Sequence, residues 1–352
     1  MGAGVMKPAA ALRSPADLAA AGLLLPGEAL ALADVVARHA VALTPEVAAL
    51  IDPTDPADPI GRQYLPSPAE RVTTEAESDD PIGDAAHSPL PGLVHRYPDR
   101  VLLKLTHVCP VYCRFCFRRE MVGPAGHGAM TAAEIDAALA YVAARPAIRE
   151  VIATGGDPLI LSPRRIAALT RKVAAIPHVE VLRWHSRVPM VAPGRITPAL
   201  LSALRAAGVV TVVAVHANHA REFTPAVAAA LARLSDAGIL LLSQSVLLRG
   251  VNDSVEALSE LMRAFVRHRV KPYYLHHPDR APGTGHFRLT LAEGLALVEA
   301  LRGTLSGLCQ PTYVLDLPGG FGKVPVAAGR RDGAATVFID RTGRAHRYVE
   351  GA

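Results

Sequence analysis

The stretch VLLKLTHVCPVYCRFCFRR, residues 101–119, decides how the rest of the chain is read. Val101 to Thr106 is a short apolar run of the kind that forms a buried strand. Cys109, Cys113 and Cys116 follow it directly. Three thiolates so close together can ligate three corners of a four-iron cluster and leave one iron open. A structural metal site is usually closed by four protein ligands, whereas a catalytic one keeps a vacant position. The other cysteine, Cys309, is far away in the chain. The spacing therefore points to a cluster whose open iron binds something other than protein. A zinc knob is the competing reading, and His107 could supply its fourth ligand.

Working outward, residues 1 to 90 read as helices followed by a Pro/Asp-rich stretch. Asp52-Pro-Thr-Asp-Pro-Ala-Asp-Pro and Ser78-Asp-Asp-Pro-Ile-Gly are turn-forming. From Val101 onward, strand candidates at 101–106, 150–154, 179–183, 208–215, 238–246 and 272–276 alternate with helix starts. Thr131 with Glu134 and Thr290 with Glu293 make capping boxes. Ser162-Pro163, Thr197-Pro198 and Thr224-Pro225 put a capping hydroxyl before Pro at the first helical position. Asn252-Asp253 is the expected start of the remaining helix. Six strand–helix units in a row predict a parallel sheet with helices outside. A full eight-fold barrel needs two more units. Beyond the sixth helix only a strand at 312–317 and a hairpin turning at 340–343 remain. The expectation is an α/β chain: a partial (β/α)6 TIM-like barrel over 91–303. A helical segment over 1–90 precedes it, and a strand and hairpin region over 304–352 follows.

Half of the 352 residues are hydrophobic, enough for a sizeable core. No apolar run reaches the ~18 residues that span a bilayer. No signal-peptide pattern opens the chain. Four cysteines, three of them clustered, do not look like a disulfide framework, so a cytoplasmic location is expected. The formal charge is +5, and no basic run carries interleaved aromatics, so nucleic-acid binding finds no support.

In parallel α/β architectures, ligands bind at the C-terminal ends of strands. Gly155-Gly156-Asp157 follows the second strand, one unit beyond the cysteines. His216 and Gln244 sit at the ends of the fourth and fifth strands. Lysine is scarce: Lys7, Lys104, Lys172, Lys271 and Lys323 are all of it. A lysine in Pro318-Gly-Gly-Phe-Gly-Lys323 therefore reads as a chemical choice, since an amine forms a Schiff base and a guanidinium does not. Lys104, inside the first strand, is the rival anchor.

Cys-x3-Cys-x2-Cys with Phe115 before the last cysteine resembles the radical S-adenosylmethionine superfamily. The longer run from His95-Arg-Tyr-Pro-Asp-Arg100 through Arg119 resembles the lysine 2,3-aminomutase family. So do Asp52-Pro-Thr-Asp-Pro, Gln63-Tyr-Leu-Pro-Ser-Pro, Gly155-Gly-Asp-Pro-Leu, Gln244-Ser-Val-Leu-Leu-Arg-Gly-Val-Asn-Asp, Tyr273-Tyr-Leu-His and the Lys323 motif. The resemblance runs from about residue 40 to about residue 330.

The resemblance implies a [4Fe-4S] cluster on Cys109, Cys113 and Cys116, with S-adenosylmethionine on the open iron. Phe115 would lie near its adenine. Gly155, Gly156 and Asp157 would hold its amino group, and Gln244 and His216 would border it. Pyridoxal 5'-phosphate would be carried by Lys323, with Arg96 and Arg100 on its phosphate. Arg118 would bind the substrate carboxylate, and Asp279 and Asp316 the ε-ammonium of lysine. The carboxylate pair favours lysine over glutamate, because a buried pair without a cation is costly. The implied reaction converts L-lysine to β-lysine, with a cellular one-electron reductant as partner.

Longer members carry a C-terminal cysteine-rich extension, paired with a core cysteine, that binds zinc. Here Ser254 stands where that cysteine would be, so the short form and no zinc are expected, with Cys309 a buried core thiol. The missing extension leaves a homo-oligomer open. Short relatives act in modifying elongation factor P. Competing readings are the same chemistry on arginine or glutamate, and an Fe-S electron carrier or sensor without catalysis.

Overall fold

The computed structural model describes residues 10–123 and 128–350. Its centre is a nine-stranded sheet in sequential order. The strands are β1 (Leu93–Tyr97), β2 (Arg100–Thr106), β3 (Glu150–Gly155), β4 (Val181–Ser186), β5 (Val210–His216), β6 (Leu240–Val246), β7 (Lys271–His276), β8 (Thr312–Leu317) and β9 (Gly322–Pro325). From β2 to β8 every neighbour is parallel, and β1 and β9 close the two edges as antiparallel strands. The sheet curls into a nearly closed barrel. Its edges meet through the Tyr97 hydroxyl, which accepts the Lys323 amide N–H at 2.7 Å.

The six expected strand–helix units are present, with helices at Ala132–Ala143, Pro163–Ala174, Pro198–Ala203, Pro225–Asp236, Val255–Arg267 and Leu291–Thr304. Thr131, Ser162, Thr197, Thr224 and Thr290 cap five of them as predicted. The start near 252 is a correction. Ser254 is the cap, and its hydroxyl accepts the Ala257 N–H at 3.1 Å. The Asn252 amide is instead committed to the carbonyls of Asn218 and Val246. Helices face the sheet with spaced apolar residues, as Leu258, Leu261, Met262 and Phe265 show. Each such side chain contributes about 1.5–3 kcal/mol when taken fully out of water.

Three strands escaped the sequence reading. β1 and β9 pair at the sheet edges, and a small antiparallel sheet adds β10 (Arg330–Asp332) to the expected hairpin of β11 (Ala335–Ile339) and β12 (Ala345–Val349). Short edge strands carry too few residues to show a period. β8 is parallel to β7, so the barrel sheet continues past the expected division at 303/304, and Lys323 rides on the sheet itself. Cys309 is buried in the core. No helix among the described residues is long and apolar enough to cross a membrane.

The N-terminal segment packs into the same core through Leu18, Leu43, Ile60 and Tyr64. It also grips the cysteine loop. Glu70, with its side chain fully buried, receives the Arg114 guanidinium at 2.6 Å and that of Arg119 as well. Gln63 accepts the Arg114 backbone N–H at 2.8 Å. Removing one member of a buried ion network leaves the others uncompensated. Glu70→Ala is expected to cost about 3–5 kcal/mol in chemical denaturation and to lower the iron bound after anaerobic reconstitution. Full stability with full iron content would refute the clamp.

The tail of β3 is tied to the tail of β2. The Gly156 and Asp157 amides donate to the Thr106 and Val108 carbonyls at 2.5 and 3.0 Å. A Cβ on Gly155 would lie 2.4 Å from the Thr106 oxygen, and one on Gly156 would lie 2.4 Å from the Val108 oxygen. The close approach that these glycines allow is therefore to the cysteine loop, where the sequence reading expected a ligand. Gly156→Ala is expected to cost about 1–3 kcal/mol, seen as a lowered denaturation midpoint. An unchanged midpoint would contradict the packing.

Candidate active site

One cavity of about 210 Å³ opens at the C-terminal ends of the parallel strands. All of the site residues expected from sequence line it, except Arg100. Arg100 begins β2, at the far end of the strand from the cysteines. Its head group bonds Asp99 at 2.9 Å and stacks over Tyr97 at 3.9 Å.

Cys109, Cys113 and Cys116 enter from the loop after β2, and none is in a disulfide. Burial pushes all three thiols up, Cys113 to about 11, so they stay neutral until a metal displaces their protons. Among the described residues no three His, Cys, Asp or Glu side chains are gathered closely enough to hold a single metal ion. A four-iron cluster asks for less convergence, because each cysteine takes its own iron.

Asp157 is the organiser beside this loop. Oδ1 accepts from the Leu159 amide at 3.0 Å and the Ser186 hydroxyl at 2.8 Å. Oδ2 accepts from the Arg187 and Val188 amides at 2.7 and 3.0 Å. Burial raises its pKa while these donors pull it down. The carboxylate has about four acceptor positions, and all are used to join the β3 and β4 tails.

Arg187, at the end of β4, was missed. It bonds Gln63 at 2.7 Å and Glu222 at 2.8 Å, and its guanidinium lies 5.5 Å from the Phe115 ring centre. Its position directly after a strand was the signal. His185 and His216 stand edge to face, 5.8 Å apart, on β4 and β5. Their Nε2 atoms are buried without partners, as are Nε of Arg96, Arg118 and Arg187. A cavity with this many unmet polar atoms is built for a polar occupant.

The other half of the cavity is a chain of alternating charge. Arg118 bonds Asp84 at 2.9 Å, Asp84 bonds Arg96 at 3.0 Å, and Arg96 approaches Asp316 to 3.8 Å. Asp316 pairs with Lys323 at 2.9 Å. Lys104 lies 4.0 Å from Asp84. Asp84 was not singled out from the sequence, and nothing in its local pattern marks it. Burial lifts Asp316, but the Lys323 ammonium and His276 outweigh that and hold it below the carboxylate range. Asp279 differs: burial and the neighbouring Asp316 push it up to about 8. The lining carries the cations Arg96, Arg118, Arg187 and Lys323 against the carboxylates Asp84, Asp157 and Asp316, with Asp279 mostly protonated, so the chamber has room for an anionic group.

Residues 103–262 match the family model of the radical SAM superfamily. The chain is 43% identical over 295 residues to an L-lysine 2,3-aminomutase of Clostridium subterminale, covering 84% of this chain and 70% of that protein. It is 44% identical to one of Acetoanaerobium sticklandii, over 81% of this chain and 69% of that one. An Escherichia coli protein of the same name is 38% identical, over 77% and 79% of the two chains. The superfamily implies a [4Fe-4S] cluster and S-adenosylmethionine, and the thiol triad lining the cavity and its unmet polar atoms fit both. With this barrel and these relatives, the chain is an isomerase and belongs to the lysine 2,3-aminomutase family of the radical S-adenosylmethionine superfamily.

Proposed function

We propose that the protein moves the amino group of L-lysine from C2 to C3, giving β-lysine, with pyridoxal phosphate held on Lys323. The observation that carries this reading is the charge layout of one cavity. Arg96 and Arg118 are tethered there by Asp84, while Asp279 and Asp316 also face in. A diamino acid presents a carboxylate and a remote ammonium, so it needs a cationic and an anionic subsite. Glutamate would bring another carboxylate against Asp279 and Asp316 and be repelled.

When bound, the cluster with S-adenosylmethionine supplies a radical route to an unactivated hydrogen, and pyridoxal phosphate supplies the π-system across which nitrogen migrates. The chain's residues do the rest. Cys109, Cys113 and Cys116 hold the cluster. Phe115, His216, Gln244 and the Gly155–Gly156 backbone border S-adenosylmethionine, while Asp157 fixes that backbone from behind. Arg96 takes phosphate through its planar fork. Arg118 takes the substrate carboxylate. Lys323 must shed a proton to solvent to act as an amine, and Asp316, whose Oδ1 lies 3.0 Å away, holds the ammonium form and stays ionised when the amine leaves. Once Lys323 leaves Asp316, the remote ammonium of lysine fills the vacated position. Val94, Leu102, Val111 and Val246 in the cavity lining keep water out of the reacting centre.

Anaerobically reconstituted protein, supplied with pyridoxal phosphate, S-adenosylmethionine and a one-electron reductant, should form β-lysine from L-lysine. Turnover of arginine or glutamate without lysine would overturn the substrate. No cleavage of S-adenosylmethionine would favour an electron carrier. Borohydride reduction should trap the cofactor on Lys323, and a label on Lys104 would contradict the assignment.

A pH dependence follows from Asp279. A carboxyl titrating at about 8 is mostly protonated at neutral pH, and an arriving ammonium requires it ionised. The groups around it are Asp316, Lys323, Arg118 and Arg96, and the arginines stay charged throughout. Apparent affinity for lysine should rise with pH below about 8, approaching ~tenfold per pH unit, and level off above it. Asp279→Asn should flatten the profile and weaken binding. A wild-type profile flat from pH 6 to 8 would refute the role.

A further inference from the structure

Five neighbouring strands each place one polar side chain on a continuous belt. These are His216 on β5, Gln244 on β6, His276 on β7, Asp316 on β8 and Lys323 on β9. His216 is in register with Gln244, and Asp316 with Lys323. Gln244 Nε2 lies 3.0 Å from His276 Nε2. His276 Nδ1 lies 3.7 Å from Asp316 Oδ2. His276 is therefore the only belt member that touches both the Gln244 side and the Lys323 side.

The chemistry of an imidazole fixes how it does so. His276 is 7% exposed, and burial lowers its pKa, so it is neutral at pH 7. A neutral ring has one donor and one acceptor nitrogen. A lone pair facing the Asp316 carboxylate would be repelled, so the proton belongs on Nδ1. Nε2 must then accept, and Gln244 must donate its amide N–H. The Gln244 carbonyl oxygen is left as an acceptor, shared between the neighbouring His216 and whatever occupies the cavity.

We propose that His276 is a positioning residue that holds Gln244 and Asp316 in complementary roles across the cavity. As a fixed Nδ1–H tautomer it makes Gln244 present an acceptor, which suits a ligand hydroxyl or amino group. It also gives Asp316 a neutral donor that stays when Lys323 withdraws, so the carboxylate remains ionised for an incoming ammonium. The 3.7 Å separation exceeds a hydrogen bond and can close when Asp316 is released from Lys323. The identity of the two ligands rests on the function proposed above, but the tautomer does not.

Protein labelled with 15N in its histidine rings, and assigned by comparison with H276F, tests the tautomer directly. The expected spectrum is neutral Nδ1–H from pH 7 to 8. A neutral Nε2–H ring, or protonation in that range, overturns the proposal. Calorimetry on reconstituted protein without reductant tests the coupling, using S-adenosylmethionine and the preference for L-lysine over L-norleucine. H276F should weaken the first and reduce the second, each about tenfold, the scale of one lost hydrogen bond to a charged or buried partner. H276Q, whose amide can both accept and donate, should restore most of both. Unchanged binding in H276F, or no recovery in H276Q, assigns His276 to packing and overturns the proposal. Q244A should affect only S-adenosylmethionine. If D316N leaves the lysine preference intact while the Nδ1–H tautomer is seen, the substrate reading fails and the positioning role stands.

Discussion

A carboxylate cannot stay buried without partners, and this protein uses that constraint to assemble its site. Glu70 draws Arg114 and Arg119 to the N-terminal segment and so fixes the cysteine loop. Asp157 joins the β3 and β4 tails through four donors. Glu222 holds Arg187 against Gln63, and Asp84 fixes the spacing of Arg96 and Arg118. In the proposed chemistry none of these acids is assigned to the reacting atoms. Each nonetheless decides where a loop or a cation stands. The barrel supplies strand ends, and the buried acids turn those ends into a defined chamber.

The exception is Asp316. Its principal partner is Lys323, a residue that the proposed cofactor needs as a free amine. In the proposed chemistry, the chain's own lysine side chain thus occupies the place offered to the substrate's ammonium. Asp279, pushed up to about 8 by burial and Asp316, is the proposed second half of that place and is mostly neutral until a cation arrives. In the proposed chemistry the chamber becomes receptive to a diamino acid only when its cations and acids exchange partners.

The fold was legible where local rules and tertiary structure agree. Hydroxyl-then-proline caps located three barrel helices, and strand-end logic led to Gly155, His216 and Gln244. The same logic should have found Arg187, which directly follows β4, and a role for His276, which ends β7 and was read only as part of the Tyr273-Tyr-Leu-His motif. Asp84 had no local signal, since its importance comes from Arg96 and Arg118, which the fold brings to it. The edge strands β1 and β9 were too short to show a period. Arg100 illustrates the opposite error: its place in the motif suggested a cavity residue, whereas the strand carries its head group to Asp99 and Tyr97.

The central claim is that the radical source and the lysine-binding residues share one chamber. Supplying L-lysine deuterated at C3 to the reconstituted protein tests it most directly. Mass spectrometry should find deuterium at the 5′-carbon of the adenosyl group and at C2 of β-lysine. β-Lysine formed with the label lost to water, and none on the adenosyl carbon, would contradict the account.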